Sequence, residues 1–172
     1  MMQPVFGIVG WKNAGKTTLV EKLVACFTAR GLTVSTVKHA HHDFDIDHPV
    51  KDSYKHREAG AVQVVIASDK RLAMLKENPE STSPTVDDAL RWIDPCDLVL
   101  IEGFKQYSHP KLEVSRETSE KPLIAQSDPT IRAVVADNCP AELDLLVFGA
   151  NDIDAIADFI FQEAGLASQV GG

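Results

Sequence analysis

The residues best suited to chemistry are eight consecutive positions near the N-terminus, Gly10 to Thr17, which read G-W-K-N-A-G-K-T. They form a complete G-x-x-x-x-G-K-[ST] phosphate loop, whose backbone N–H groups wrap around an anion at the N-terminus of a helix. Lys16 would reach the β- and γ-phosphate oxygens, and the Thr17 hydroxyl would bind Mg²⁺. The pattern therefore predicts that the chain binds a nucleoside triphosphate.

The segments on either side of this loop have the order that the chemistry requires. The apolar run 4–9 precedes it and predicts a buried strand, whereas residues 18–30 place apolar side chains at helical spacing. The predicted nucleotide-binding positions in the loop are Gly10, Trp11, Lys12, Asn13, Ala14, Gly15, Lys16 and Thr17.

A phosphate loop needs a partner carboxylate at the carboxyl end of another buried strand. The run 97–103 reads D-L-V-L-I-E-G and offers Asp97 and Glu102. Asp97 opens the strand and Glu102 closes it, so only Glu102 lies at the correct end. We therefore expect Glu102 to order the Mg²⁺ shell, with Lys16 and Glu102 as the candidate catalytic residues.

A second unusual segment, 38–48, packs four histidines and three aspartates into eleven residues directly after a predicted strand. As a switch loop, it would bring Asp45 or Asp47 to Mg²⁺ and Lys38 with the histidines to phosphate or an anionic partner. As a metal site, its imidazole and carboxylate groups would suit zinc or nickel. The segment could also be an ordinary solvated polar loop. We rank the switch first and the metal site third.

The remaining pattern alternates strands with helices, which predicts an α/β fold around a mostly parallel sheet. Strands are expected at 32–37, 62–68, 71–76, 97–101, 111–115, 131–136 and 144–148, with 111–115 as an outer strand and the last two in the core. Helices are expected at 52–58, capped by Asp52 and Ser53, at 85–93, and at 151–164, capped by Asn151. We predict a single three-layer domain over 1–172, of the phosphate-loop NTPase type with small antiparallel additions, frayed at 168–172.

Composition excludes several classes of protein. The formal net charge of −8 argues against nonspecific binding to nucleic acid or to an anionic membrane. No run approaches the roughly 18 apolar residues of a membrane-spanning helix. The three cysteines are scattered without a C-x-x-C pair, which is typical of a reducing compartment, and we expect a cytoplasmic protein.

Three segments together resemble the family of molybdopterin-guanine dinucleotide biosynthesis adapter proteins, MobB. They are G-W-K-N-A-G-K-T, V-K-H-A-H-H-D-F-D-I-D-H-P-x-K-D-S-Y and L-V-L-I-E-G-F-K, and the resemblance covers essentially the whole chain. It implies a cytoplasmic, homodimeric GTP-binding protein that hydrolyses GTP weakly with Mg²⁺. It also implies an adapter role beside the guanylyltransferase that joins GMP to molybdopterin, with both the enzyme and molybdopterin as partners.

The resemblance also assigns site residues. Gly15, Lys16, Thr17 and Thr18 would hold phosphates and Mg²⁺, and Glu102 with Gly103 would form a second nucleotide-binding motif. In and next to the family's K-H-x-H-H-D and K-D-S elements, the resemblance points to His39, His41, His42, Asp45 and Asp52, with Lys38 as a further switch-loop candidate. One departure is His48-Pro49-Val50, where Lys-Pro-Gly is expected.

Other functions share this phosphate loop. A nickel-insertion GTPase has a similar fold and histidine loop but usually pairs histidine with cysteine. A small-molecule kinase needs an arginine-rich lid, and Arg71, Arg91 and Arg116 are widely spaced here. Neither a water-positioning glutamine nor an arginine finger is evident, so we expect at most a weak GTPase. The N-K-x-D guanine motif is absent, which leaves base preference open.

Overall fold

The structure is a computed structural model, and it describes residues 3–40, 46–49, 51–78, 82–116, 121–137 and 144–166. The chain divides into two compact units, residues 1–39 with 86–172, and residues 40–85. The single domain over 1–172 stays a prediction. In chain order the elements are β1 (Val5–Val9), α1 (Lys16–Ala29), β2 (Val34–Lys38), α2 (Asp52–Glu58), β3 (Gln63–Ala67), β4 (Leu72–Lys76), α3 (Val86–Leu90), β5 (Leu98–Glu102), β6 (Lys111–Val114), β7 (Ile131–Val135), β8 (Leu146–Phe148) and α4 (Ile153–Glu163).

The first unit is built on a six-stranded sheet in the order β2-β5-β1-β6-β7-β8. Every pair of neighbours in this sheet is parallel, and β3 with β4 forms a separate antiparallel pair in the second unit. The predicted fold class, a mostly parallel central sheet with a small antiparallel addition, is confirmed. Because parallel strands end at the same edge, the carboxyl ends of β1, β2, β5 and β6 lie along one edge of this sheet.

Alternation along β5 shows how the sheet separates two apolar layers. Leu98 and Leu100 pack with α1 and α4, whereas Val99 and Ile101 pack with α3 on the opposite face. Side chains that alternate between faces are expected from a strand with a period of two residues. Helix α1 buries apolar residues at helical spacing, namely Leu19, Val20, Leu23 and Phe27. Helices on both faces of the sheet give the three predicted layers.

Strand β6 was expected at the outside of the sheet, and this expectation is wrong. It lies between β1 and β7 with all of its residues buried. The alternating Lys111 and Glu113 resemble an exposed face, yet both charges have partners. Lys111 Nζ donates to Asp128 Oδ2 at 2.8 Å and also to Thr130, while Glu113 accepts backbone N–H groups from the segment after residue 123.

Strand β8 was expected in the core but is the edge strand of the sheet. Its Leu146 and Val147 are 58% and 46% exposed, so an apolar run does not by itself mark a central position. The N-cap of α4 is Asp152 rather than the predicted Asn151. The Asp152 carboxylate accepts from the Gly149 N–H at 2.9 Å, and Asn151 instead accepts from Lys22 at 3.3 Å.

The connection from β5 to β6 is short, and one of its residues packs against the middle of β1. A Cβ atom at Gly7 would lie 2.7 Å from Cδ2 of His109 and 2.8 Å from Cβ of Lys111, so β1 needs a glycine there. Nε2 of His109 is buried and has no hydrogen-bond partner among the residues described. Burial, together with the nearby Lys111 charge, lowers the pKa of His109 to about 4.

The second unit contains α2 and the β3–β4 pair. Asp47 is buried and accepts a hydrogen bond from Ser53 at 2.8 Å, with Arg57 Nη1 3.7 Å from its other oxygen. The predicted cap at Asp52 is wrong, because Lys51 is the N-cap and Asp52 begins the helix. The antiparallel pair and the residue just before β3 expose large apolar side chains, namely Val62, Val65, Ile66 and Leu72. Among the helices of the described ranges, none has the length and apolar character needed to cross a membrane.

Candidate functional site

The phosphate loop connects β1 to α1 at the carboxyl edge of the sheet. Gly10 has a φ of 150°, and a Cβ atom there would collide with the carbonyl oxygen of Val114 at the end of β6. The loop therefore begins where two backbones touch, a place that only glycine can occupy. Val9 pairs with Glu113 in the sheet, so β6 supports the loop directly.

The loop itself contains a tight turn that leads into α1. Ala14 is buried, and its N–H donates to the Trp11 carbonyl at 3.2 Å. Asn13 and Gly15 have positive φ values of 63° and 99°. Lys12 and Asn13 are exposed. A chain that turns through left-handed residues immediately before a helix can direct successive N–H groups towards one anion.

Lys16 folds back over the loop that precedes it. Its Nζ donates to the carbonyl oxygens of Trp11 at 2.8 Å and Gly10 at 3.2 Å. Partial burial lowers the pKa of Lys16, the negative charge of Glu102 acts in the opposite direction, and Lys38 lowers it further. The Lys16 ammonium, which lies across the opening of the loop, can leave these carbonyl oxygens and bind phosphate oxygens instead.

Thr17 and Glu102 meet at the same edge, as the sequence predicts. The Thr17 hydroxyl donates to Oε1 of Glu102 at 2.8 Å, and Glu102 is only 9% exposed. Nζ of Lys38 lies 3.4 Å from Glu102 Oε1 and 3.4 Å from Thr17 Oγ1. Sheet register explains the meeting, because Glu102 pairs with Ile8 on one side and with Lys38 on the other.

Asp97 lies at the opposite end of β5, which supports the strand direction assumed from the sequence. Its Oδ2 accepts from the Thr33 N–H at 2.7 Å and from the Thr33 hydroxyl at 2.6 Å. These hydrogen bonds from Thr33 lower the pKa of Asp97. Asp97 therefore ties the start of β5 to the start of β2 and is far from the phosphate loop.

The remaining predicted residues lie in different parts of the chain. Thr18 is exposed in the first turn of α1, and Gly103 donates its N–H to the Ile8 carbonyl at 3.0 Å. His39 donates its backbone N–H to the backbone carbonyl of Glu102 at 2.9 Å, and its ring stacks on Phe104 with centroids 4.4 Å apart. Asp52 is in the second unit and pairs with Lys55 at 3.1 Å. The predictions for His41, His42 and Asp45 lie outside the described residues.

Two lysines to which the sequence assigned no role lie against the loop's own tryptophan. Nζ of Lys105 is 4.0 Å from the Trp11 ring centroid, and Nζ of Lys121 is 4.6 Å from it. The Trp11 indole donates to the carbonyl of Pro122 at 2.9 Å. Burial lowers the pKa of Lys105, and the positive charge of Lys16 lowers it further. No spacing in the sequence connects these residues, since they come from different connecting segments.

A buried carboxylate holds one of these segments in place. Glu113 Oε1 and Oε2 accept the N–H groups of Ile124 and Ala125 at 3.0 and 2.9 Å. Burial raises the pKa of Glu113, while these two hydrogen bonds favour its ionised form. Glu113 thus fixes the turn that follows Pro122, and through Pro122 it positions the backbone that Trp11 contacts.

Arg116 was considered only as one of several scattered arginines, yet its side chain reaches the phosphate loop. Its Nη2 and Nε lie 3.4 and 3.5 Å from the place that a Cβ atom of Gly15 would occupy. A signal was available in the sequence. Arg116 comes shortly after a strand, at the same edge as the residues that follow β1 and β5.

The donor set at this edge fits Mg²⁺. A hydroxyl and a carboxylate 2.8 Å apart are hard oxygen ligands of the kind that Mg²⁺ prefers beside a polyphosphate. Thr17 and Glu102 are the residues that would hold the ion. For the transition-metal alternative, no group of three or more His, Cys, Asp or Glu side chains able to hold an ion occurs in the described ranges.

The chain is similar in sequence to proteins of one family. Residues 5–137 match the family MobB, described as molybdopterin guanine dinucleotide synthesis protein B. The molybdopterin-guanine dinucleotide biosynthesis adapter protein of Haemophilus influenzae is 43% identical over 159 residues, covering 91% of this chain and 87% of that relative. The protein of the same name from Escherichia coli is 36% identical over 164 residues, covering 94% of this chain and 93% of the relative.

A solved structure supports the same assignment. The crystal structure of a MobB protein homolog from Bacillus stearothermophilus is similar with a TM-score of 0.72 and 33% identity, covering 94% of this chain and 98% of that one. The resemblance that the three sequence segments indicate is thereby confirmed. With its phosphate loop, its Thr17–Glu102 pair and these relatives, the chain belongs to the MobB family.

Proposed function

We propose that this protein is a GTP-binding adapter in the synthesis of molybdopterin guanine dinucleotide, with weak intrinsic GTPase activity. The observation that carries the proposal is the complete phosphate loop, with Thr17 hydrogen-bonded to Glu102 at the carboxyl ends of β1 and β5. The adapter role and the choice of guanine come from the names of the relatives and from the family resemblance.

The geometry supports a separate role for each part of the site. The backbone of residues 10–15 would surround the β-phosphate, and Lys16 would leave the carbonyls of Gly10 and Trp11 to meet phosphate oxygens. Thr17 and Glu102 would hold Mg²⁺, which neutralises charge on the phosphates when bound. Lys38 would compensate the Glu102 carboxylate when the ion is absent, because it already lies 3.4 Å away.

Calorimetry tests this proposal directly. GTP, ATP and GDP are titrated into the protein with and without Mg²⁺, which examines the triphosphate, the base and the ion together. We expect GTP with Mg²⁺ to bind most tightly. Equal affinity for ATP and GTP would contradict the guanine assignment, and no heat of binding for any of the three nucleotides would contradict the site itself.

The proposed partners need separate measurements. We expect a homodimer, and the exposed apolar side chains of the β3–β4 pair, including Val65 and Ile66, are a surface that a second copy could cover. A sedimentation mass equal to one chain across micromolar concentrations would contradict the dimer. Binding of purified guanylyltransferase, with and without GTP and molybdopterin, tests the adapter role.

The proposed switch role of segment 38–51 can be tested by hydrogen exchange. If the segment contacts the γ-phosphate region, its exchange should slow when GTP and Mg²⁺ are added and slow much less with GDP. Protection by one equivalent of zinc, with no response to GTP, would instead favour the metal site. In that case metal binding should weaken as the histidines protonate near pH ~6.

A further inference from the structure

We propose that Arg116 is a phosphate ligand that the chain adds to its own phosphate loop, from the end of strand β6. The inference rests on the proposed function, since it assumes that a nucleotide occupies the loop. It goes beyond the loop motif, because Arg116 is about a hundred residues away from it in sequence and belongs to no recognised spacing.

Sheet topology brings Arg116 to the loop. Strand β6 pairs with β1, with Val9 opposite Glu113, so both strands end at the same edge. The chain leaves β1 as the phosphate loop and leaves β6 towards Arg116. The Arg116 guanidinium then lies beside Gly15, with Nη2, Nε and Cζ at 3.4, 3.5 and 3.9 Å from the Cβ position of that glycine.

The position beside Gly15 is where a phosphate-binding cation is useful. Gly15 is the N-cap of α1, and its φ of 99° turns the chain from the loop into the helix. The helix N-terminus and the loop N–H groups would direct the phosphate chain to this point. A guanidinium beside Gly15 can therefore add N–H donors to those of the loop backbone.

Arg116 has no competing partner in the part of the chain that the structure describes. Its side chain makes no hydrogen bond or ion pair there, and the residue is exposed. Four other arginines do have a carboxylate oxygen within 4.0 Å, namely Arg30, Arg57, Arg91 and Arg132. A guanidinium beside a phosphate loop, with no carboxylate partner among the described residues of a chain of net charge −8, is positioned for an anionic ligand.

The chemistry of arginine suits this position. Its planar fork of N–H donors can bind two oxygens of a phosphate at once, which a lysine cannot do. Phosphate-loop enzymes also use arginine to stabilise charge on the transferred phosphate, either from the same chain or from a partner. Arg116 would instead bind the phosphate of the nucleotide in the ground state from the same chain, in keeping with the weak hydrolysis proposed above.

The test compares Arg116→Ala, Arg116→Lys and Arg91→Ala in the full chain, with GTP and Mg²⁺ as the probe. Arg91 is the matched control, since it is exposed and pairs only locally with Asp88 at 3.0 Å. We expect Arg116→Ala to weaken GTP binding roughly 10- to 100-fold, the range of a charge-assisted hydrogen bond. Arg116→Lys should bind with intermediate affinity, and Arg91→Ala should bind like the wild type.

Thermal unfolding supplies a second readout. Without nucleotide, Arg116→Ala should unfold at the wild-type temperature, because the side chain has no partner to lose among the described residues. The rise in unfolding temperature on adding GTP should be smaller than in the wild type. A lower unfolding temperature without nucleotide would show a structural role and overturn the inference.

Lys16→Ala separates failure of the inference from failure of the proposed function. If Lys16→Ala loses GTP binding and Arg116→Ala keeps it within twofold of the wild type, the phosphate loop stands and the role of Arg116 is refuted. If Lys16→Ala also keeps full affinity, the proposed nucleotide site fails and the inference fails with it.

Discussion

The Thr17 hydroxyl donates a 2.8 Å hydrogen bond to the carboxylate of Glu102, although the two residues are 85 positions apart. The contact depends on the parallel register of β1 and β5, which sets Ile8 opposite Glu102. A shift of one residue would turn the Glu102 side chain to the other face of the sheet. The register of two buried strands therefore sets the spacing of the two proposed Mg²⁺ ligands.

Glu102→Gln should weaken GTP binding roughly tenfold or more in the presence of Mg²⁺ and change it little in the absence of the ion. The amide keeps the size of the side chain but loses the charge that would hold Mg²⁺. Asp97→Asn is the matched control at the other end of β5 and should leave both affinities unchanged. Calorimetry with and without Mg²⁺ measures the difference, and equal effects of the two substitutions would contradict the site.

Lys16→Ala should reduce GTP affinity by one to two orders of magnitude, because a charge-assisted contact contributes roughly 1.5–3 kcal/mol. The hydrogen bonds of the Lys16 side chain to the described residues go to loop carbonyls and not to the core, so the fold should stay intact by circular dichroism. Lys22→Ala is the control on the same helix, where the side chain contacts Asn151 and should not affect binding. Affinity of Lys16→Ala within twofold of the wild type would refute the loop assignment.

Trp11 should report nucleotide binding through its fluorescence. The chain has two tryptophans, so Trp92→Phe leaves Trp11 as the single emitter. Phosphate binding should draw nearby cations away from the indole, where Lys105 now lies 4.0 Å from the ring centroid. We expect the emission of Trp92→Phe to change in a saturable way with GTP. The Trp11→Phe variant is the control, and an equal change in its emission would exclude Trp11 as the reporter.

The local parts of the site were predictable from sequence because they are encoded by consecutive residues. The phosphate loop and the acid that closes β5 each lie within a short run, so residue type and strand direction were sufficient to locate Lys16, Thr17 and Glu102. The parallel sheet followed from the alternation of apolar strands with helices. Each of these inferences depends on short-range order, which the sequence displays directly.

The parts that were missed depend on pairing between distant segments. Strand β6 appeared exposed because Lys111 and Glu113 alternate with apolar residues, and only the fold provides Asp128 and a backbone turn as their partners. The role of Arg116 was missed for the same reason. If β6 were an outer strand, the residues that follow it would not reach Gly15. A buried charge cannot be recognised from sequence until its partner is known.

Gly7→Ala should destabilise the protein by about 1–3 kcal/mol, the usual cost of overpacking a filled core. The added methyl group would meet the imidazole of His109 and the Cβ atom of Lys111, at 2.8 Å for the latter. His109→Ala in the same chain should recover part of the loss. Denaturant unfolding of the two single variants and the double variant measures the coupling, and strict additivity would contradict the contact.

Because of His109, the free energy of unfolding should decrease as the pH falls from 6.5 to about 4. The first value is the ordinary pKa of histidine, and the second is the pKa of His109 in the folded protein. The unfolded chain binds the proton more readily, so the neutral ring's contribution is complete above pH 6.5 and is lost as the pH falls. Because the side chain is partly exposed, we expect a loss of about 1–2 kcal/mol. His109→Gln should flatten this part of the curve, and an unchanged slope would contradict the assignment.

Five basic side chains lie around the phosphate loop, and in a chain of net charge −8 this has a kinetic consequence. They are Lys16, Lys38, Lys105, Lys121 and Arg116. The surface as a whole repels large polyanions, while a small anion that reaches the loop enters a local positive field. Capture of the proposed nucleotide would then be governed by short-range attraction, and added salt should slow its arrival more than its departure. The uneven distribution of charge would thus select ligands by size, because a nucleotide is small enough for the positive region and a nucleic acid would extend beyond it.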